Sequence, residues 1–294
     1  MNRLPRRLLI VFIVSWIFFL PVAGTAAPVG NVGDPMLWSP GPFRQEGGLA
    51  LVVSATIEKQ ANRLPSQMTR FAWSNPDILP PEERHYQQSR SSKNTLTTMG
   101  AKIGVPYRDS ALFYAVVGTS DATIDFHYED WTISRVFFQD HSFESGPNAY
   151  FGLGTSFIMH QAEYRKTPVT LGMDISYRHY TIEENRLSSD GLYYASDLDE
   201  IQIALCLSAK LKRFQPYAGV KVASVTGTED YVNKNYATSY FKEGYIHYTE
   251  DITWSKNLGY FIGVSSSIKG LLSLGLEVRG GDESAVGVSA TTRF

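Results

Sequence analysis

The sequence predicts an all-β chain closed into an antiparallel transmembrane β-barrel of about ten strands, within a range of eight to twelve. Three observations predict it. Most of the chain from residue 47 onward alternates apolar with small or polar residues at period 2, the mark of strands whose two faces meet different surroundings. The connections between these segments are long and short by turns, as in barrels with short turns on one side of a membrane and longer loops on the other. The final strand alternates to its end and stops on Phe294.

Composition sets the frame. The chain has 294 residues, 43% hydrophobic and 19% charged, which excludes disorder. Arg3, Arg6 and Arg7 precede an apolar run at residues 8–20, followed by Pro21 and the small residues 23–27. The run is short for a membrane anchor, so it reads as a secretory signal cleaved near residue 27, by the general export route more than the twin-arginine one. No cysteine at that zone supports a lipid anchor. Removing three of 27 basic residues leaves 24 against 29 acidic, a net charge of −5. No basic patch points to nucleic acid. Cys206 is the single cysteine, so no intrachain disulfide forms. No later stretch reaches 18 apolar residues, which leaves a closed barrel as the way to span lipid.

Residues 28–46, rich in Pro and Gly, read as an irregular N-terminal segment with a possible place in the lumen, and residues 47–294 as the barrel. The first strand, 47–59, aligns Leu49, Leu51, Val53, Ala55 and Ile57 on one face. A polar stretch, 60–93, follows. The second strand, 94–107, sets Met99, Ala101, Ile103 and Val105 against Gly100, Lys102 and Gly104. A tight turn at 108–109 leads to the third, 110–126, whose faces are ambiguous because both registers are apolar. After an acidic, aromatic loop at 127–147, the fourth strand, 148–161, opposes Phe151, Leu153, Phe157 and Met159 to Gly152, Gly154 and Ser156.

The fifth and sixth strands alternate clearly, with Val169 to Tyr177 and Ile201 to Leu211 on their apolar faces. A polar loop, 183–196, separates them. The seventh, 214–228, places Ala218, Val220 and Val222 opposite Gly219 and Lys221. The long loop 229–256 precedes the eighth, 258–268. A two-residue hairpin at 269–270 leads to the ninth, 272–279. Residues 121–134 and 240–253 are candidates to extend strands above the membrane or add a hairpin.

In the closing strand Val286, Val288, Ala290, Thr292 and Phe294 share one face, and Ala285, Gly287, Ser289, Thr291 and Arg293 the other. An alternating strand ending in Phe resembles the closing strand of bacterial outer-membrane β-barrels of the porin-like and opacity-like kind. That resemblance implies a Gram-negative outer membrane, with its lipid and barrel-assembly machinery as partners. The string at residues 27–38, A-P-V-G-N-V-G-D-P-M-L-W, resembles the mature N-terminus of chlamydial-type major outer-membrane porins, whose typical cysteines are absent here. A soluble β-sandwich or lipocalin-like barrel is the competing fold, with apolar residues inside. The small, glycine-rich polar face favours the membrane version.

The polar face carries Lys102, Asp174, Arg178, Lys210, Lys221, Glu277, Arg279 and Arg293, six basic against two acidic. In a barrel these line the lumen, either as a narrow porin-like path preferring anionic solutes or as salt bridges filling a structural barrel. Long Tyr- and Trp-bearing loops offer a third role, adhesin-like surface binding. Asp125, His127, Glu129 and Asp130, with Asp140, His141 and Glu144, resemble in composition the Asp/His rim of the omptin proteases, themselves ten-stranded barrels, although the omptin motifs are missing. No metal-ligand spacing, phosphate loop or dinucleotide fingerprint is present, so no cofactor or catalytic residue is assigned.

Overall fold

The computed structural model describes residues 30–38, 51–61, 87–107, 110–131, 136–183, 192–233, 246–253, 258–268, 271–281 and 283–294. The expected secretory signal, residues 108–109 and 269–270, and much of the long loops lie outside the described residues. Among the described residues, one helical turn, α1 (Pro35–Trp38), precedes twelve strands in one sheet. These are β1 (Val52–Ala61), β2 (Gln87–Tyr107), β3 (Ala111–Trp131), β4 (Val136–Glu144), β5 (Asn148–Tyr164), β6 (Thr167–Glu183), β7 (Leu192–Ala209), β8 (Phe214–Asn233), β9 (Ile246–Thr253), β10 (Leu258–Ile268), β11 (Leu272–Gly280) and β12 (Ser284–Arg293).

The sheet closes on itself. β12 pairs antiparallel with β11 and with β1, the latter from Val52↔Arg293 to Ala61↔Ser284. Leu51 and Phe294 prolong the seam, exchanging N–H···O bonds of 3.0 and 2.8 Å. First-to-last pairing removes the free edge that an open sheet would leave here.

Twelve strands make ten staves. β4 pairs with the upper half of β3, from Trp131↔Val136 to Thr123↔Glu144. β5 then takes the lower half, from Ser120↔Asn148 to Ala111↔Phe157. Between them Ser145 stays tied to β3, its N–H donating to the Ala122 carbonyl at 2.8 Å and its Oγ accepting from the Ala122 N–H at 2.7 Å. β9 and β10 divide β8 in the same way, with Thr226↔Thr253 above and Leu258↔Val222 below. The segments read from sequence as loops at 127–147 and 229–256 thus contain strands that rise above the membrane. The polar loop read at 183–196 shortens likewise, because β7 begins at Leu192.

The faces sort by chemistry. Ile57, Met99, Ile103, Phe151, Leu153, Ile201, Ile203, Leu205, Leu207, Val220, Val222, Ile262, Leu274, Leu276, Val286 and Val288 all point outward and are exposed. Inward positions carry the polar and charged residues. A soluble barrel requires the reverse arrangement, so the lipocalin-like alternative fails. The outward apolar run of β7 and its turn, Ile201 to Leu211, covers ten residue steps. At about 3.3 Å per residue and roughly 40° of tilt this gives about 25 Å, the height of a bilayer-facing band. Exposed Tyr107, Phe113, Tyr164, Phe214 and Phe294 ring its short-turn end. The ambiguous third strand resolves: Leu112, Tyr114 and Val116 are buried inside, while Phe113 and Val117 are exposed outside.

Inner glycines give the interior aromatics their room. A Cβ on Gly154 would sit 2.4 Å from the Tyr114 ring, and one on Gly263 would sit 2.3 Å from the Tyr217 ring. The rings of Tyr114 and Tyr217 therefore cross the lumen only because a neighbouring stave lacks a side chain.

Candidate functional site

The side chains with chemistry to offer converge in the lumen, in layers. At the short-turn end the layer is built by residues 30–38. Gly30 takes φ +69°, a left-handed conformation that glycine adopts without strain. The Asn31 side chain accepts from the Gly33 N–H at 3.0 Å, and the Asp34 N–H donates to the Asn31 carbonyl at 2.9 Å. Trp38 Nε1 folds back onto the Val32 carbonyl at 2.6 Å. The result is a compact coil with its own internal bonds.

The barrel wall holds that coil by its main chain. Glu277 Oε2 accepts from the Gly30 N–H at 3.0 Å. Gln215 Nε2 donates to the Gly33 carbonyl at 2.6 Å, and Arg293 Nη1 to the Leu37 carbonyl at 3.1 Å. Side chains add Asn31 Nδ2 to Ser265 Oγ at 2.9 Å, and Ser273 Oγ to Asp34. Val32 is 1% exposed and sits against Gly172.

Above the coil lies a buried ionic layer. Arg279 bonds Glu58, and it meets Glu283 at 3.0 Å and Glu277 at 3.6 Å. Lys221 bonds Glu283, and Gln60 Nε2 donates to Glu58 at 2.5 Å. Across the lumen Asp174 accepts from Tyr114 Oη at 2.8 Å and from Ser156 Oγ at 2.5 Å. The Lys102 ammonium lies 3.5 Å from the centre of the Tyr114 ring and 4.0 Å from Asp174. Higher still, Tyr150 stacks on Tyr180 at 5.4 Å, and Tyr180 Oη donates to Glu200 at 3.3 Å. Toward the long-loop end Leu96, Ile124, Phe143, Ile182, Tyr194 and Leu198 are buried together, with Tyr194 Oη donating to Glu229 at 3.4 Å.

The eight residues expected to line the lumen separate into seven and one. Asp174, Arg178, Lys221, Glu277, Arg279 and Arg293 are buried inside, and Lys102 faces inward with 19% of its side chain exposed. Lys210 does not belong with them. β7 ends at Ala209, where the β6 ladder stops, and Lys210 lies exposed in the turn beyond it.

The basic excess also falls. Glu58, Glu200, Glu229 and Glu283 are buried inward as well. Among the described residues the wall therefore carries five basic side chains (Lys102, Arg178, Lys221, Arg279, Arg293) against six acidic. The coil adds Asp34, so the interior gives no basis for anion preference. Parity would have found three of the missed acids. Glu58 shares the face of Ser54, Glu200 that of Gln202, and Glu229 that of Lys221.

The Asp/His segment forms part of the β3–β4 hairpin. Its register sets His127 opposite Asp140, and Asp125 opposite Ser142. Asp125 is exposed and accepts from Ser142 Oγ at 2.6 Å. The side chains of His127, Glu129, Asp130, Asp140 and His141 lie outside the described residues. A different outward group stands at the upper margin of the apolar band. Asp199 accepts from Tyr177 Oη at 2.6 Å and lies 3.0 Å from His179 Nδ1.

The closed antiparallel sheet with its apolar face outward is the architecture of a membrane-spanning barrel. Similar solved structures include the outer-membrane protease OmpT of Escherichia coli (10% identity, 84% of this chain and 95% of that one, TM-score 0.48). Others are the transport unit of the E. coli autotransporter AIDA-I (10% identity, 87% and 92%, TM-score 0.31) and the Pseudomonas putida toluene transporter TodX (9%, 92% and 95%, TM-score 0.27). No family model and no curated protein matches the chain.

Proposed function

We propose that the protein is a bacterial outer-membrane barrel, closed at rest, that works as a structural or surface-binding barrel and not as an open porin. The occupied lumen carries this reading: coil, ionic layer, tyrosine layer and a buried cluster succeed one another from the short-turn end to the long-loop end. Ten staves enclose little more than their own side chains can fill. What the barrel offers outside is a wall of β2–β3–β4 and of β7–β8–β9 standing above the apolar band, a rigid base for recognition.

Two measurements test it. Proteoliposomes containing the full chain should hold their volume in isosmotic arabinose; rapid swelling would overturn the closed state. In intact cells, a membrane-impermeant maleimide should label Asp251→Cys, which is exposed on β9, and not Arg165→Cys, in the β5–β6 turn. Native Cys206 is buried at 1% exposure and should stay silent. The opposite labelling pattern would invert the orientation and remove the outward-facing surface.

A further inference from the structure

We infer that the short-turn end of the lumen is a peptide-binding site, and that residues 30–38 are its ligand in cis. Packing that only filled space would use apolar contact. Here three wall side chains from three staves address the main chain of the segment: Glu277 takes an N–H, while Gln215 and Arg293 each donate to a carbonyl. These contacts read an extended or turning backbone whatever its side chains. Specificity comes from a second set. Ser265 and Ser273 meet Asn31 and Asp34, and a notch at Gly172 receives Val32. A Cβ at Gly172 would lie 2.5 Å from Val32 Cγ1, so the notch exists only because the wall lacks a side chain there.

The segment does not fill its vestibule. Between it and the β1, β11 and β12 wall remains a cavity of about 70 Å³, lined by Ser54, Thr56, Gly275, Ser289, Thr291 and Lys102. This polar flank is the side on which the coil would leave and a competing strand of chain would enter. The ligand class is a short peptide with a small apolar side chain between two polar amide or carboxylate ones, in the pattern of Asn31-Val32-Gly33-Asp34. The cis segment outcompetes a free peptide through its high effective concentration. This site is independent of whether the barrel conducts.

The experiment uses the full chain. Val32→Asp places a carboxylate in the Gly172 notch and should evict the segment while leaving it tethered. A fluorescein-labelled peptide of residues 28–40 should then bind this variant at least tenfold more tightly than it binds the wild type, whose site is occupied, and tenfold more tightly than a scrambled peptide binds. Adding Gly172→Leu should abolish the gain. Equal binding to wild type and variant, no binding to either, or indifference to Gly172→Leu would each overturn the inference.

A milder variant covers failure of Val32→Asp to fold. The Val32 main chain lies beside the Cys206 thiol. Val32→Cys should therefore cross-link to Cys206 under diamide, and excess wild-type peptide should slow the reaction where scrambled peptide does not. Absence of the cross-link, or no effect of peptide, would count against the site.

Discussion

Arg279→Met probes the layer on which the interior most depends. Arg279 is buried, with 1% of its side chain exposed, and faces Glu58, Glu277 and Glu283, which are equally enclosed. Methionine keeps most of the stem's volume and removes the charge. Lys221 keeps its bond to Glu283, while Glu58 and Glu277 lose the guanidinium beside them. Breaking a buried ionic cluster by removing one partner costs about 3–5 kcal/mol, because the others stay desolvated without compensation. The second substitution Glu58→Gln removes one uncompensated charge and should recover about 1 kcal/mol or more by coupling within the cluster. Urea titration of the barrel refolded in lipid vesicles, followed by tryptophan fluorescence and by heat-modifiable gel migration, measures both. A loss below about 1 kcal/mol for Arg279→Met would refute the account of a buried, mutually dependent cluster.

Other features carry their own expectations. The β5–β6 turn consists of Arg165 and Lys166, at φ +49° and +64°. Asn-Gly at these positions should stabilise the folded barrel by about 1 kcal/mol in the same urea titration, since L-residues other than Asn and Gly are strained there. Gly154→Leu puts a side chain into the Tyr114 ring. It should cost about 1–3 kcal/mol or block refolding in vesicles. At the upper margin of the apolar band, Tyr177→Phe removes the hydrogen bond to Asp199. It should cost about 1 kcal/mol or less in the same urea titration, and a larger loss would show the contact to be part of the barrel's framework.

The barrel was legible where alternation is strict and one face is small. β6, β7, β10 and β11 announce themselves because Leu, Ile and Val on one face oppose Gly and Ser on the other. The chain above the band was less legible. There the outer face leaves lipid, and charged or His residues enter both alternations, Asp140 and His141 in β4 and Glu250 and Asp251 in β9, so the two strands read as polar loops. β3 was ambiguous for another reason: Leu112 and Val116 are as apolar as Phe113 and Val117, yet point inward, where Gly104 makes room beside Leu112. The inward acids escape notice for different reasons: Glu229 falls at the start of the long polar stretch 229–256, Glu200 stands just before the alternation that begins at Ile201, and Glu58 sits near the end of the first alternating run. The hold of Gln215, Glu277 and Arg293 on residues 30–38 has no sequence signal. It joins positions up to 256 residues apart through main-chain groups that no side-chain pattern reveals.

The central claim is that this ten-stave lumen is closed. Recording the full chain in planar lipid bilayers in 1 M KCl, across both polarities, tests it most directly. The account predicts a flat baseline, with no sustained unitary steps after insertion has been confirmed by heat-modifiable migration of the same sample. Stable, reproducible open-channel steps at low voltage would contradict it.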